Sequence, residues 1–185
     1  MKNSKFVAIA LLALVTFSSC EKDDPIAVNE EELITTVTTT LVAGNQTVTL
    51  TSRDLDGDGP NAPVVTVSGP LTANTTYTGS TTFLNESVTP VDNITAEVLE
   101  EGYEHQVFYQ APASIGAFTY TDVDKNGKPV GLSFTLRTAA TAATGNLVVV
   151  LRHEPVKGAA GVAAGSITNA KGSTDAEVTF PVQVR

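Results

Sequence analysis

The stretch "LITTVTTTLVAGNQTVTLTSR", residues 33–53, decides the fold class. Leu33, Val37 and Leu41 fall on one face and Thr36, Thr38 and Thr40 on the other, the two-residue period of a half-buried strand. Gly44-Asn45 then offers a turn, and Gln46–Arg53 continues the β-branched pattern, so the two runs predict a hairpin. Outward from this hairpin the same punctuation recurs. "APVVTVSG" closes on Gly69-Pro70, and "NTTYTGSTTFLNE" carries Tyr77 and Phe83 as its large apolar anchors. Tyr103–Gln110, Ala117–Asp124, Pro129–Thr138, Asn146–Glu154 and Ala176–Val184 read as further strands.

In the last of these Ala176, Val178, Phe180, Val182 and Val184 alternate inward. Pro181 then faces outward and removes a backbone donor, which suits an edge strand. The one helical candidate is "DNITAEVLEEG", with an Asp92/Asn93 cap, Ile94 and Val98 four apart, and a terminal Gly102. About nine strands and one short helix predict an all-β, immunoglobulin-like β-sandwich over residues 33–185, with the helix at one end. "PVKGAAGVAAGSITNAKGSTD" interrupts the pattern: residues 156–175 are rich in Gly and Ala and read as a long loop, a docking segment or an insertion without a partner.

Residues 1–20, "MKNSKFVAIALLALVTFSSC", combine Lys2 and Lys5 with an apolar run of about 12 residues, too short to span a bilayer and suited to a secretory signal over residues 1–19. Cys20 is the only cysteine, so an internal disulfide is excluded, and "FSSC" places its thiol at the lipid-acceptor position of a bacterial lipoprotein. Residues 20–32 then read as an acidic tether between lipid and domain. Loss of residues 1–19 removes Lys2 and Lys5 and leaves nine basic against 20 acidic side chains, a net of −11 on 166 residues. That field argues against nucleic acid and anionic membrane surfaces as partners, and it favours cations. The remaining partner is an envelope protein, a glycan or a small ligand.

Two loops carry a D-x-D-x-[DN]-G pattern. "DLDGDG" supplies Asp54, Asp56 and Asp58 before Gly59, carboxylates whose alternation lets oxygens converge on calcium. The twelfth position is Val65 and a strand follows, which excludes an EF-hand and leaves either a calcium-stabilised β-loop or a plain Asp-Gly turn. "DVDKNG" supplies Asp122, Asp124 and Asn126, where a calcium site competes with an Asn-Gly type I′ hairpin turn and with two neighbouring lysines. The two histidines, His105 and His153, each adjoin a glutamate, Glu104 and Glu154. If their strands are neighbours, these four residues form a site for zinc or copper. Paired carboxylates around Glu101 and Glu104 would suit hydrolysis of a glycan. No nucleophile elbow and no phosphate-cradling glycine loop is present, and the aromatic residues read as core packing.

With "RDLDGDGPNAPVVTVSGPLTANTTYTGSTTFLNE", "EHQVFYQ", "GLSFTLRT" and "LRHEP" together, the mature chain resembles small Bacteroidota-type outer-membrane lipoproteins of unassigned function, some labelled as having a periplasmic-binding fold. The resemblance implies lipid anchoring at the outer membrane, on the cell surface or the periplasmic face, and an all-β body. It implies no catalytic residue. The sequence thus points first to a non-catalytic, lipid-anchored binding or structural module, second to a metal or small-solute carrier of the envelope, and third to a carboxylate hydrolase.

Overall fold

A computed structural model describes residues 33–57 and 59–185; the signal, Cys20, the tether and Asp58 lie outside the described residues. Nine strands form two antiparallel sheets. The larger has the order β3-β2-β1-β4-β7-β6 and the smaller β5-β8-β9. The strands are β1 (Thr36–Ala43), β2 (Gln46–Arg53), β3 (Val64–Val67), β4 (Thr76–Leu84), β5 (His105–Gln110), β6 (Gly116–Tyr120), β7 (Ser133–Thr138), β8 (Ala143–His153) and β9 (Ser173–Val184). The expected all-β sandwich of nine strands and one short helix is therefore present among the described residues, with six strands in one sheet and three in the other.

β1 and β2 pair in register from Thr36↔Arg53 to Ala43↔Gln46, joined by the two-residue Gly44-Asn45 turn. Gly44 sits at φ +56° while Asn45 does not enter the left-handed region, the pattern of a II′ turn whose twist matches that of the strands. Val37, Leu41, Val48 and Leu50 point into the core together with Tyr77 and Phe83 of β4 and Phe134 and Leu136 of β7. From the small sheet Val107, Tyr109, Leu147, Val149, Leu151, Phe180 and Val182 meet them. Leu33 departs from the expected inward face: the strand begins only at Thr36, and Leu33 is 49% exposed beyond the sheet. Gly79 permits close packing across β4 and β7, because a Cβ there would lie 2.3 Å from the Phe134 ring.

The core contains a polar rivet. Thr39 Oγ1 lies 2.9 Å from Thr81 Oγ1 on the large sheet. The Tyr109 hydroxyl, from the small sheet, lies 2.8 Å from Thr81 Oγ1 and donates to the Gly131 carbonyl at 2.7 Å. Burial pushes the Tyr109 hydroxyl pKa well up, so it remains a donor. Every member is satisfied, which is what permits hydroxyls in the interior.

Helix α1 (Ile94–Glu100) closes one end of the core with Ile94 and Val98. Asn93 occupies its N-cap position but makes no side-chain cap bond, and Asp92 instead pairs through its backbone with Asn85. Thr95 anchors the helix: its Oγ1 accepts from the Phe83 N–H at 2.8 Å and donates to the Phe83 carbonyl at 3.0 Å. Pro181 is exposed on β9, at the edge of the small sheet, as its lack of a donor requires.

The Gly/Ala-rich segment folds back over the outer face of the small sheet. Val162 and Ala170 pack on Phe108 and Val150 as a second core, flanked by Val148, Ala159 and Ile167. A single 3-10 turn, Val162–Ala164, lies between left-handed Gly161 and Gly165. Gln106, fully buried on β5, donates from Nε2 to the Val162 carbonyl at 2.9 Å. The segment is a cover, and both faces of β5 are buried except at Gln110.

Candidate functional site

The loop after β2 leaves the sheet at Asp54, whose N–H donates to the Thr35 carbonyl at 2.7 Å. Gly57 turns the chain at φ +56°. Gly59 gives room for the Asp56 carboxylate: a Cβ there would stand 2.2 Å from Asp56 Oδ2. Asp56 Oδ2 accepts from the Asn61 side-chain amide at 2.7 Å and from its backbone N–H at 3.2 Å. Those two bonds, the side-chain amide first, hold the Asp56 carboxyl below its usual value, and Asp54 acts in the same direction. Asp54 Oδ1 is buried and has no hydrogen-bond partner among the described residues. A buried carboxylate oxygen without a donor is costly, and it is the kind of atom that a bound cation satisfies.

Beside this loop the edge of the large sheet is open. Val64 and Val65 of β3 and Leu55 of the loop are exposed. Leu55 and Val64, with Thr51, Arg53, Asp54 and Asp56, border a hollow of about 390 Å³. Arg53 Nε is held 2.7 Å from Glu86 Oε2, which also accepts from Thr36 Oγ1. The Thr36 bond first, then Arg53, holds the Glu86 carboxyl below its usual value.

The second aspartate loop is occupied by the protein itself. Asp122 accepts from the Gly131 N–H at 2.8 Å with Oδ1 and from the Ser133 N–H at 2.9 Å with Oδ2. Asp124 Oδ1 accepts from the Asn126 and Lys128 N–H groups at 2.8 and 2.9 Å. Its Oδ2 lies 3.0 Å from Lys157 Nζ, which also donates to the Pro129 carbonyl at 2.8 Å and to the Gly102 carbonyl. The pair is buried, with side-chain exposures of 6% and 1%. Burial pushes the Asp124 carboxyl up, but the Lys128 N–H, Lys157 and the Asn126 N–H outweigh it and hold it low. Burial pushes the Lys157 ammonium down, with Asp124 opposing. The two directions conflict for one ion pair. Three acceptors around Nζ, one of them a carboxylate, favour the charged lysine, and we take the pair as ionised. The ammonium thus takes the Asp124 oxygen that the sequence reading offered to calcium, while both Asp122 oxygens are taken by backbone N–H groups. The expected type I′ turn is also corrected, because only Gly127 (φ +70°) is left-handed and Asn126 is not. The Asp124 side chain sets this turn through its bonds to Asn126 and Lys128.

The two histidines do meet. β5 pairs with β8, and His105 stands directly opposite His153. Their rings stack with centroids 4.8 Å apart and planes 21° apart. Asp175 lies beside them, its Oδ2 3.8 Å from His105 Nε2. Arg152 pairs with Thr174 and Leu151 with Ala176, so Asp175 is the extra residue of a β-bulge in β9. Glu104 and Glu154 approach each other through the backbone, the Glu154 N–H donating to the Glu104 carbonyl at 2.6 Å. The Glu104 carboxylate is engaged by Tyr103, whose hydroxyl pKa it raises. Glu101 meets His105 through its main-chain carbonyl, 3.3 Å from Nδ1, and not through its carboxylate. Burial pushes the His105 imidazole pKa down. Among the described residues, no three His, Cys, Asp or Glu side chains converge on one point as they stand. No protein-family model matches this chain, and no curated protein or solved structure is similar to it.

Proposed function

We propose that this chain is a non-catalytic binding or structural module of the bacterial envelope, anchored in the outer membrane by lipid on Cys20, with calcium ordering its open Asp54 loop. The observation that carries the reading is Asp54 Oδ1, a buried carboxylate oxygen lacking a donor among the described residues, on a residue that lines the hollow beside β3. A cation there would satisfy the oxygen and fix the loop that borders the hollow. Affinity near 10⁻⁴–10⁻³ M is usual for extracellular calcium modules, and a ligand set of two described carboxylates suits that range. The lipobox-like "FSSC" and the acidic residues after it support the anchored part. Fractionating cells that express the full chain and its Cys20→Ala variant tests it. The unaltered chain should be in the membrane fraction and the variant in the soluble one; a soluble unaltered chain with its cysteine free contradicts the reading.

A further inference from the structure

From the sheet-end cluster of His105, His153 and Asp175 we infer a zinc-class transition-metal site, separate from the calcium loop and independent of the proposed function. Three adjacent strands contribute one residue each: His105 from β5, His153 from β8 and Asp175 from β9. In an unbulged register a residue between Thr174 and Ala176 would face the opposite side from Ala176. The bulge between Leu151 and Arg152 re-aims Asp175 toward the imidazoles.

The spacing fits a bridging ion better than a direct bond. At 3.8 Å, His105 Nε2 and Asp175 Oδ2 are beyond hydrogen-bonding distance, although both side chains are at least nine-tenths buried. An ion held at about 2.0–2.2 Å from each would set these atoms roughly 3.4–3.8 Å apart for angles between tetrahedral and about 130°. His105 is also oriented for ligation. A carbonyl only accepts, so the 3.3 Å contact with Glu101 puts the proton on Nδ1 and leaves the Nε2 lone pair toward Asp175. The backbone carbonyl is thus the outer-shell partner that metal-binding imidazoles usually have.

His153 supplies the third donor. Two imidazoles on one tetrahedral ion have ring centroids about 5 Å apart, close to the 4.8 Å observed. The rings are nearly parallel, so His153 must turn about its side-chain torsions to present a nitrogen. It is only partly buried, which leaves room for that turn. Three protein donors leave a fourth position for water or a small ligand, the arrangement of an open site and not of a closed structural one.

The chain contains two histidines, so their ring proton resonances report on this site without a variant. We expect one equivalent of zinc, added to the intact protein near neutral pH, to shift both rings together. We expect cobalt(II) to give the visible absorption of a four-coordinate ion, displaced by zinc. His153→Ala and Asp175→Asn should each weaken zinc binding at least tenfold, and Glu104→Gln and Glu154→Gln should not change it. The inference is overturned if neither ring responds to one equivalent, if only one does, or if Asp175→Asn binds zinc as the unaltered protein does. If either variant fails to fold, the ring shifts of the unaltered protein decide alone.

Discussion

The loops at Asp54–Gly59 and Asp122–Gly127 share a six-residue pattern and have opposite environments. In the second, each carboxylate accepts two backbone N–H bonds and Lys157 supplies the positive charge from within. In the first, Asn61 serves Asp56, while Asp54 Oδ1 is buried without a donor among the described residues. The difference lies in a third element. The cover segment brings Lys157 to one loop, whereas Arg53 beside the other is paired with Glu86. Alternating aspartates specify a convergence of oxygens, and distant chain decides whether the counter-charge is a side chain or an ion from solution.

The largest way to break this comparison is to remove the internal cation. Lys157→Ala leaves Asp124 buried and unpaired, which should destabilise the domain by about 3–5 kcal/mol, the usual cost of removing one partner of a buried pair. For a domain of this size that corresponds to a fall in melting temperature on the order of 6–20 °C. The cover segment, held by Lys157 and by Val162 and Ala170 on Phe108, should then lose amide-exchange protection before the strands do. A melting temperature within 2 °C of the unaltered protein would show that the pair is not a buried latch.

Acid sharpens the comparison at the histidine pair. The folded pKa of His105 lies below the ordinary 6.5 because of burial, so below that pH the unfolded chain binds more protons than the folded one. In metal-free buffer, stability contributed by neutral His105 should be intact above about pH 6.5 and should fall as pH drops toward the folded pKa. His105→Gln should flatten this part of the pH–stability curve, measured by urea unfolding between pH 7.5 and 5. A slope unchanged in the variant would assign the acid sensitivity to other groups.

Most strands were legible because alternation survives in them, as in β2 and β4. Gln46–Arg53 has the same bounds in sequence and structure, and the outward Pro181 on an edge follows from its missing donor. The two-histidine meeting required the register of β5 with β8, which pairs positions 48 apart in sequence (153 − 105). Asp175 required in addition a bulge that no residue of β9 announces. Glu104 and Glu154 adjoin the histidines in sequence but lie just beyond the strand ends and meet each other through the backbone, whereas Asp175 comes from a third strand. The cover segment was illegible for a different reason. Its anchors Val162 and Ala170 have no period of two or 3.6, and the signal that could have found it is Lys157 at the start of a Gly/Ala-rich run, which burial explains only once Asp124, Gly102 and Pro129 are seen around it.

The most direct test of the central claim is a melting curve with calcium and then with chelator, run on the protein and on Asp54→Asn and Asp56→Asn. With affinity near 10⁻⁴–10⁻³ M, 5 mM calcium should stabilise by about 1–2 kcal/mol. That is a rise of roughly 2–8 °C, reversed by chelator. Both variants should lose the rise, whereas Lys128→Ala beside the occupied loop should keep it. A melting temperature indifferent to calcium, or a rise that survives both substitutions, would contradict the assignment of an external cation to the open loop.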